Sequence, residues 1–112
     1  MDLFNVVISP RALSQLNHYI DYLQYTLLND QAAYNVWQDA METRDQLSKV
    51  AGRLTLSSHP LLKKNGYRTI SFQRHRYLMV YRVEDQTAYV DAIYHQLQDY
   101  ENIFADALNL QN

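Results

Sequence analysis

The stretch from Gly66 to Asp99 constrains the fold most. Within it, Arg68, Ile70 and Phe72 alternate with Tyr67, Thr69 and Ser71. Tyr77, Met79, Tyr81 and Val83 alternate with Arg76, Leu78, Val80 and Arg82, and Ala88, Val90, Ala92 and Tyr94 alternate with Tyr89, Asp91, Ile93 and His95. A period of two in runs rich in aromatic and β-branched residues predicts three strands. The breaks at Gln73-Arg74-His75 and Glu84-Asp85-Gln86 are too short for a crossover, so the strands must run antiparallel as a meander. A two-sided meander needs helices to cover at least one face.

The first half of the chain supplies those helices. Residues 2–8 read as a strand, with Phe4, Val6 and Ile8 on one side and Leu3, Asn5 and Val7 on the other. Ser9-Pro10 then opens a helix, with Ser9 as N-cap and Pro10 at a position whose N–H has no partner anyway. That helix is expected over Pro10 to Leu28, burying Leu13, Leu16, Ile20, Leu23 and Leu27. Asn29-Asp30 breaks it, and Asp30 can cap a second helix over Gln31 to Val50. There Ala33, Val36, Trp37, Ala40, Leu47 and Val50 form the apolar side, and Asp39, Glu42 and Asp45 face solvent. The short connection predicts an antiparallel hairpin. Residues 51–66 are irregular, broken at Gly52, Ser57-Ser58-His59-Pro60 and Asn65-Gly66, with Leu54, Leu56, Leu61 and Leu62 pinning them to the core. Residues Tyr100 to Leu110 form an amphipathic tail helix on Ile103, Phe104, Ala107 and Leu108. The layout is α+β in one domain spanning 1–112: an N-terminal strand, a helical hairpin on one face of a mostly antiparallel sheet, and a short C-terminal helix. The other face is left for solvent or a ligand.

Charge is distributed unevenly. Residues 51–83 hold Arg53, Lys63, Lys64, Arg68, Arg74, Arg76 and Arg82 and no acid, which is seven of the ten Lys and Arg. Residues 84–112 hold six acids and no Lys or Arg, so the net charge of −2 hides a basic segment between acidic flanks. The segment points to an anionic partner: RNA, DNA in a protein complex, or an acidic peptide. The overall charge argues against strong non-specific nucleic-acid binding. The absence of Cys excludes disulfides and thiol chemistry and fits a cytoplasmic location. The N-terminus lacks a signal-peptide pattern, and no apolar run is long enough to span a membrane. His18, His59, His75 and His95 form no ligand cluster, so neither a metal nor another cofactor is expected. His75 reads as a solvated turn residue and His95 as a strand-end histidine bonded to backbone. Asp91 reads as the partner of an Arg across the sheet.

Taken in order, Ile-Ser-Pro-Arg-Ala, the hairpin with Asp-Tyr-Leu and Ala-Ala, His-Pro, Gly-Tyr-Arg, Tyr-Leu-Met-Val-Tyr-Arg-Val and Ile-Tyr-His-Gln-Leu-Gln-Asp-Tyr resemble the RelE/ParE toxins of type II toxin–antitoxin modules. The resemblance covers roughly residues 4–104 and implies a growth-inhibiting toxin neutralised by a cognate antitoxin, bound across the sheet and first helix. ParE-like members poison DNA gyrase, and RelE-like members cut mRNA on the ribosome, so fold alone does not choose the target. Of the positions that RelE-type nucleases use, the first falls near Arg68, and the others fall on Leu78, Gln98 and, approximately, Phe104. This pattern and the Tyr-Leu-Met-Val-Tyr run are closer to ParE. The alternatives are an mRNA endoribonuclease using Arg68, Arg76 and His95, and a non-toxic antitoxin-binding module. Lys63, Lys64, Arg74, Arg82, Tyr94 and Tyr100 are the expected partner surface.

Overall fold

Ser9 ends the first strand and starts the first helix. Its hydroxyl accepts the amide of Ala12 at 3.1 Å and donates to the Asp91 carbonyl at 3.2 Å. In the computed structural model, which describes residues 3–110, the strand is β1 (Asn5–Ile8) and the helix α1 (Pro10–Asp21). The strand expected over 2–8 is therefore shorter. The Phe4 amide donates to the Ser48 carbonyl at 2.8 Å instead of a strand, and the first two residues lie outside the described ones. The chain continues with α2 (Asp30–Val50), a short α3 (Pro60–Lys64), β2 (Arg68–Ser71), β3 (Tyr77–Glu84), β4 (Thr87–His95) and α4 (Tyr100–Leu110). The sheet order is β1-β4-β3-β2, with β1 parallel to β4 and the other pairs antiparallel.

The helical hairpin departs from expectation in several places, among them Trp37, expected on the apolar side of the second helix but exposed. α1 ends at Asp21 and passes into a π-helical turn, Tyr22–Thr26, in which the Leu27 amide reaches the Tyr22 carbonyl. The extra residue in that turn rotates the chain beyond it, so Leu27 is exposed, and Leu13 is exposed as well. The buried stripe runs instead through Ala12, Leu16, Tyr19, Ile20 and Leu23. Asn29, not Asp30, caps α2, its side-chain oxygen accepting the Ala32 amide at 3.0 Å. Asp39, expected in solvent, is 0% exposed.

Gly66, at φ 79°, closes α3 in a left-handed conformation. Its amide bonds the Lys63 carbonyl at 3.0 Å and the Tyr67 amide bonds that of Leu62 at 2.9 Å, the paired bonds of a Schellman cap. The chain thereby turns directly into β2.

Both sheet faces are covered, which corrects the expectation of one open face. α1 and α2 pack on one, over Met79, Tyr81, Ala88, Val90 and Ile93. α3 and α4 pack on the other, where Leu62, Tyr67, Leu78, Val80, Ala92, Tyr94, Phe104 and Ala105 form a second core. The split of β4 between these cores has a local cause. Val80 pairs with Ala92 but Tyr81 pairs with Val90, so Asp91 is an extra residue, a β-bulge. Past the bulge the alternation changes side: Ala88 and Val90 face the helical hairpin, whereas Ala92 and Tyr94 face α4. An uninterrupted period of two puts all four on one face, and the bulge is why that expectation fails.

Candidate functional site

The bulge aims the Asp91 carboxylate at two donors. The Tyr67 hydroxyl donates to Oδ2 at 2.7 Å and Arg82 Nε donates to the same oxygen at 3.1 Å. Arg82 also pairs with Glu84 at 2.9 Å and lies 4.7 Å above the Tyr89 ring. Burial, reinforced by the hydrogen bond and charge of Asp91, raises the Tyr67 phenol far above its ordinary value. The expected cross-sheet pairing of Asp91 with an Arg holds. Arg82, expected on a partner surface, is instead half-buried and committed to two carboxylates, so little of its charge faces outward.

A second polar group fastens the β2–β3 turn to α2. Asp39 accepts the amides of Gln73 at 3.1 Å and Arg74 at 2.9 Å, and His75 Nδ1 sits 2.7 Å from its Oδ2. Burial alone would push this carboxyl up. The bonds from the His75 ring and the two amides outweigh burial and hold it below the ordinary carboxylate range. His75 is thus a ligand of a buried carboxylate, not a solvated turn residue. Arg74 reaches Glu42 on the same helix.

At the end of the sheet, Tyr77 pairs in register with His95, and their rings meet edge to face at 5.2 Å. The Tyr19 ring lies 4.8 Å from Tyr77, and its hydroxyl donates to Gln98 at 2.9 Å. The Leu97 amide donates to His95 Nδ1 at 3.1 Å, the backbone bond expected of a strand-end histidine. That bond needs a lone pair on Nδ1, so it places the ring proton on Nε2. Arg76 adjoins this end, is exposed, and forms no ion pair among the described residues.

Arg68 is elsewhere. It pairs with Tyr81, four positions along β3 from the partner of His95, or roughly 13 Å at the rise of a strand. Its guanidinium donates to the Leu54 carbonyl. The structure therefore brings Arg76 and His95 to one end and leaves Arg68 away from them. Leu78 and Phe104 are buried, and Phe104 meets the Tyr67 ring at 4.9 Å. Tyr94 is 5% exposed and stacks 6.5 Å from a half-buried Tyr100, so Tyr94 belongs to the second core and not to an outer surface. The bulge turns it inward beneath α4. Lys63 and Lys64 stand exposed at the end of α3. With Arg74 and Arg82 paired, Lys63, Lys64 and Arg76, which form no ion pair among the described residues, lie at opposite ends of β2, and the basic segment does not fold into one basic face. Among the described residues no His, Asp and Glu cluster could hold a metal, and no helix is long and apolar enough to cross a membrane.

The sequence model of the family described as "ParE toxin of type II toxin-antitoxin system, parDE" matches residues 6–100, nearly the whole fold. The chain belongs to the ParE toxin family. A solved structure titled "Chromosomal ParDE TA system from P. aeruginosa" is similar at 21% identity with a TM-score of 0.68. The alignment covers 83% of this chain and 96% of that one, and at this identity it speaks for the fold. No curated protein matches the chain. As a ParE-family toxin, the chain is the toxin half of a type II toxin–antitoxin pair. Its family match ends at the start of α4, the helix that covers the second face.

One feature of this ParE fold lies outside the candidates drawn from sequence. A shallow cleft between the end of α1 and the start of α2 is lined by Ile20, Gln24, Asp30, Ala33, Tyr34 and Trp37. Its signal was available: no Lys or Arg occurs between Ala12 and Thr43, although the segment is rich in Tyr and carries the single Trp.

Proposed function

We propose that this toxin acts by binding a protein target, with DNA gyrase as the target, and that a cognate antitoxin neutralises it. The observation that supports this is the fate of the RelE-type positions: Leu78 and Phe104 fill the core beneath α4, and Arg68 is bonded to a backbone carbonyl. A metal-independent nuclease needs a base, an acid and a cation around one phosphate. The antitoxin is read as an acidic extended segment along the part of the edge strand β2 beyond Arg68, whose own outer side is bridged by Leu56. Uncommitted Lys63 and Lys64 stand at one end of that edge and Arg76 at the other. With both faces covered, the edge replaces the sheet face as the docking site.

A second reading, ribosome-dependent mRNA cleavage, is favoured by the convergence of Arg76 and His95 with Tyr19 and Tyr77 at the sheet end. Expression of the chain alone should arrest bacterial growth, and coexpression of the adjacent antitoxin gene should restore it. Mapping mRNA 5′ ends during arrest separates the readings. An unchanged end profile fits the target-binding reading, and codon-phased cuts would replace it with the nuclease. Normal growth without antitoxin would leave only the non-toxic binding module.

A further inference from the structure

The hairpin tip is apolar and aromatic where folding does not require it. Tyr34 and Trp37 are 55% and 47% exposed, and their rings stack 6.4 Å apart on one wall of the cleft. Leu27 and Leu28 stand exposed on the loop that joins the two helices. Leu28 is 82% exposed and held at φ 54°, a conformation that costs a non-glycine residue about 1–2 kcal/mol. It has neither a packing reason to be Leu nor a backbone reason not to be Gly. Exposed apolar clusters rimmed by polar groups mark interaction sites.

Charge selects the occupant. Of the four acids between Ala12 and Thr43, Asp39 and Glu42 are engaged by His75 and Arg74. Asp21 and Asp30 are exposed and form no ion pair among the described residues. Asp30 lines the cleft beside the aromatic pair. A carboxylate next to stacked Tyr and Trp faces suits a guanidinium or ammonium, which gains from both the charge and the rings. Nucleic acid and anionic membrane find no Lys or Arg here. A second copy of the chain, docked by two-fold symmetry, would set the acidic tip against itself. An acidic antitoxin segment is repelled for the same reason and is served by the cations flanking β2.

We infer that this cleft is where the toxin docks on its target protein, taking a segment that places an apolar anchor beside Trp37 and an arginine or lysine on Asp30. This rests on the reading of the chain as a target-binding toxin. The test has two arms, which separate the cleft from that reading. In the first, Trp37 is the only tryptophan, so its emission reports on the cleft directly. The purified protein is titrated with a short amphipathic Leu/Arg helical peptide and with a Leu/Glu counterpart. The Leu/Arg peptide should shift the emission saturably and less at high salt, and Asp30→Lys should weaken it at least about tenfold with an unchanged circular dichroism spectrum. Equal response to both peptides, or none to either, would overturn the inference.

In the second arm, Asp30→Lys and Trp37→Ser are expressed in cells and assayed with purified antitoxin. Growth arrest should be lost, with antitoxin affinity within about twofold of wild type. Antitoxin affinity falling in parallel with arrest, or arrest persisting in both variants, would overturn it. A wild-type chain that does not arrest growth would count against the toxin–target reading alone, and the peptide arm would still decide what the cleft binds.

Discussion

Asp39 shows how much one residue carries. It is a carboxylate with no solvent exposure, and its neighbours in the hairpin turn supply two amides and an imidazole. Asp39→Ala is expected to cost about 3 kcal/mol, because it strands buried donors, and Asp39→Asn should cost less. Urea unfolding measures both. The pH dependence comes from the depressed carboxyl pKa. The unfolded chain protonates this group near about pH 4 and the folded chain at a lower pH, so its contribution is full above that range. It is lost as pH falls through the folded value. The wild-type midpoint should therefore drop on acidification below about pH 4, and the drop should be shallower in Asp39→Asn. A helical pattern places Asp39 in solvent because amphipathicity records spacing, whereas a carboxylate satisfied by a distant turn is a tertiary event. The same blindness applies to His75.

At the scale of elements, the strands, the helical hairpin and the tail helix are readable because each rests on local periodicity or on a cap, as at Ser9. Two features are not. The bulge at Asp91 is invisible in an alternation that continues smoothly on both sides, yet it moves Ala92 and Tyr94 to the opposite core. The docking of α4 is unreadable for a related reason: an amphipathic stripe states that a helix must be covered, not by what. Ser57 and His59 fasten α4 through Glu101 at 2.7 Å and Asn102 at 3.2 Å, which only the folded loop brings within reach. Phe104→Ala should destabilise the protein by about 3–5 kcal/mol, the usual cost of emptying an aromatic core site. Thermal unfolding checks this. Little change in stability would mean that α4 does not hold the second core.

For the whole molecule, the fold gives a chain of near-neutral charge two unlike surfaces. The edge strand β2 is flanked by Lys63, Lys64 and Arg76, and the tip of the helical hairpin is acidic and aromatic. On the proposed reading these serve an inhibitor and a target, while two of the positions that RelE-type nucleases use, Leu78 and Phe104, are filled by core side chains. The candidate site is only partly legible in the sequence. Arg76 and His95 do share the sheet end, but Arg68 lies far along the ladder, and Arg74 and Arg82 are committed to carboxylates that a linear charge count cannot pair with them. The most direct test of target binding is gyrase supercoiling with the purified toxin. Supercoiling should be inhibited, stoichiometric antitoxin should restore it, and His95→Ala should inhibit as well as wild type. Unaffected supercoiling, together with ribosome-dependent mRNA cleavage that His95→Ala abolishes, would contradict target binding as the mode of action.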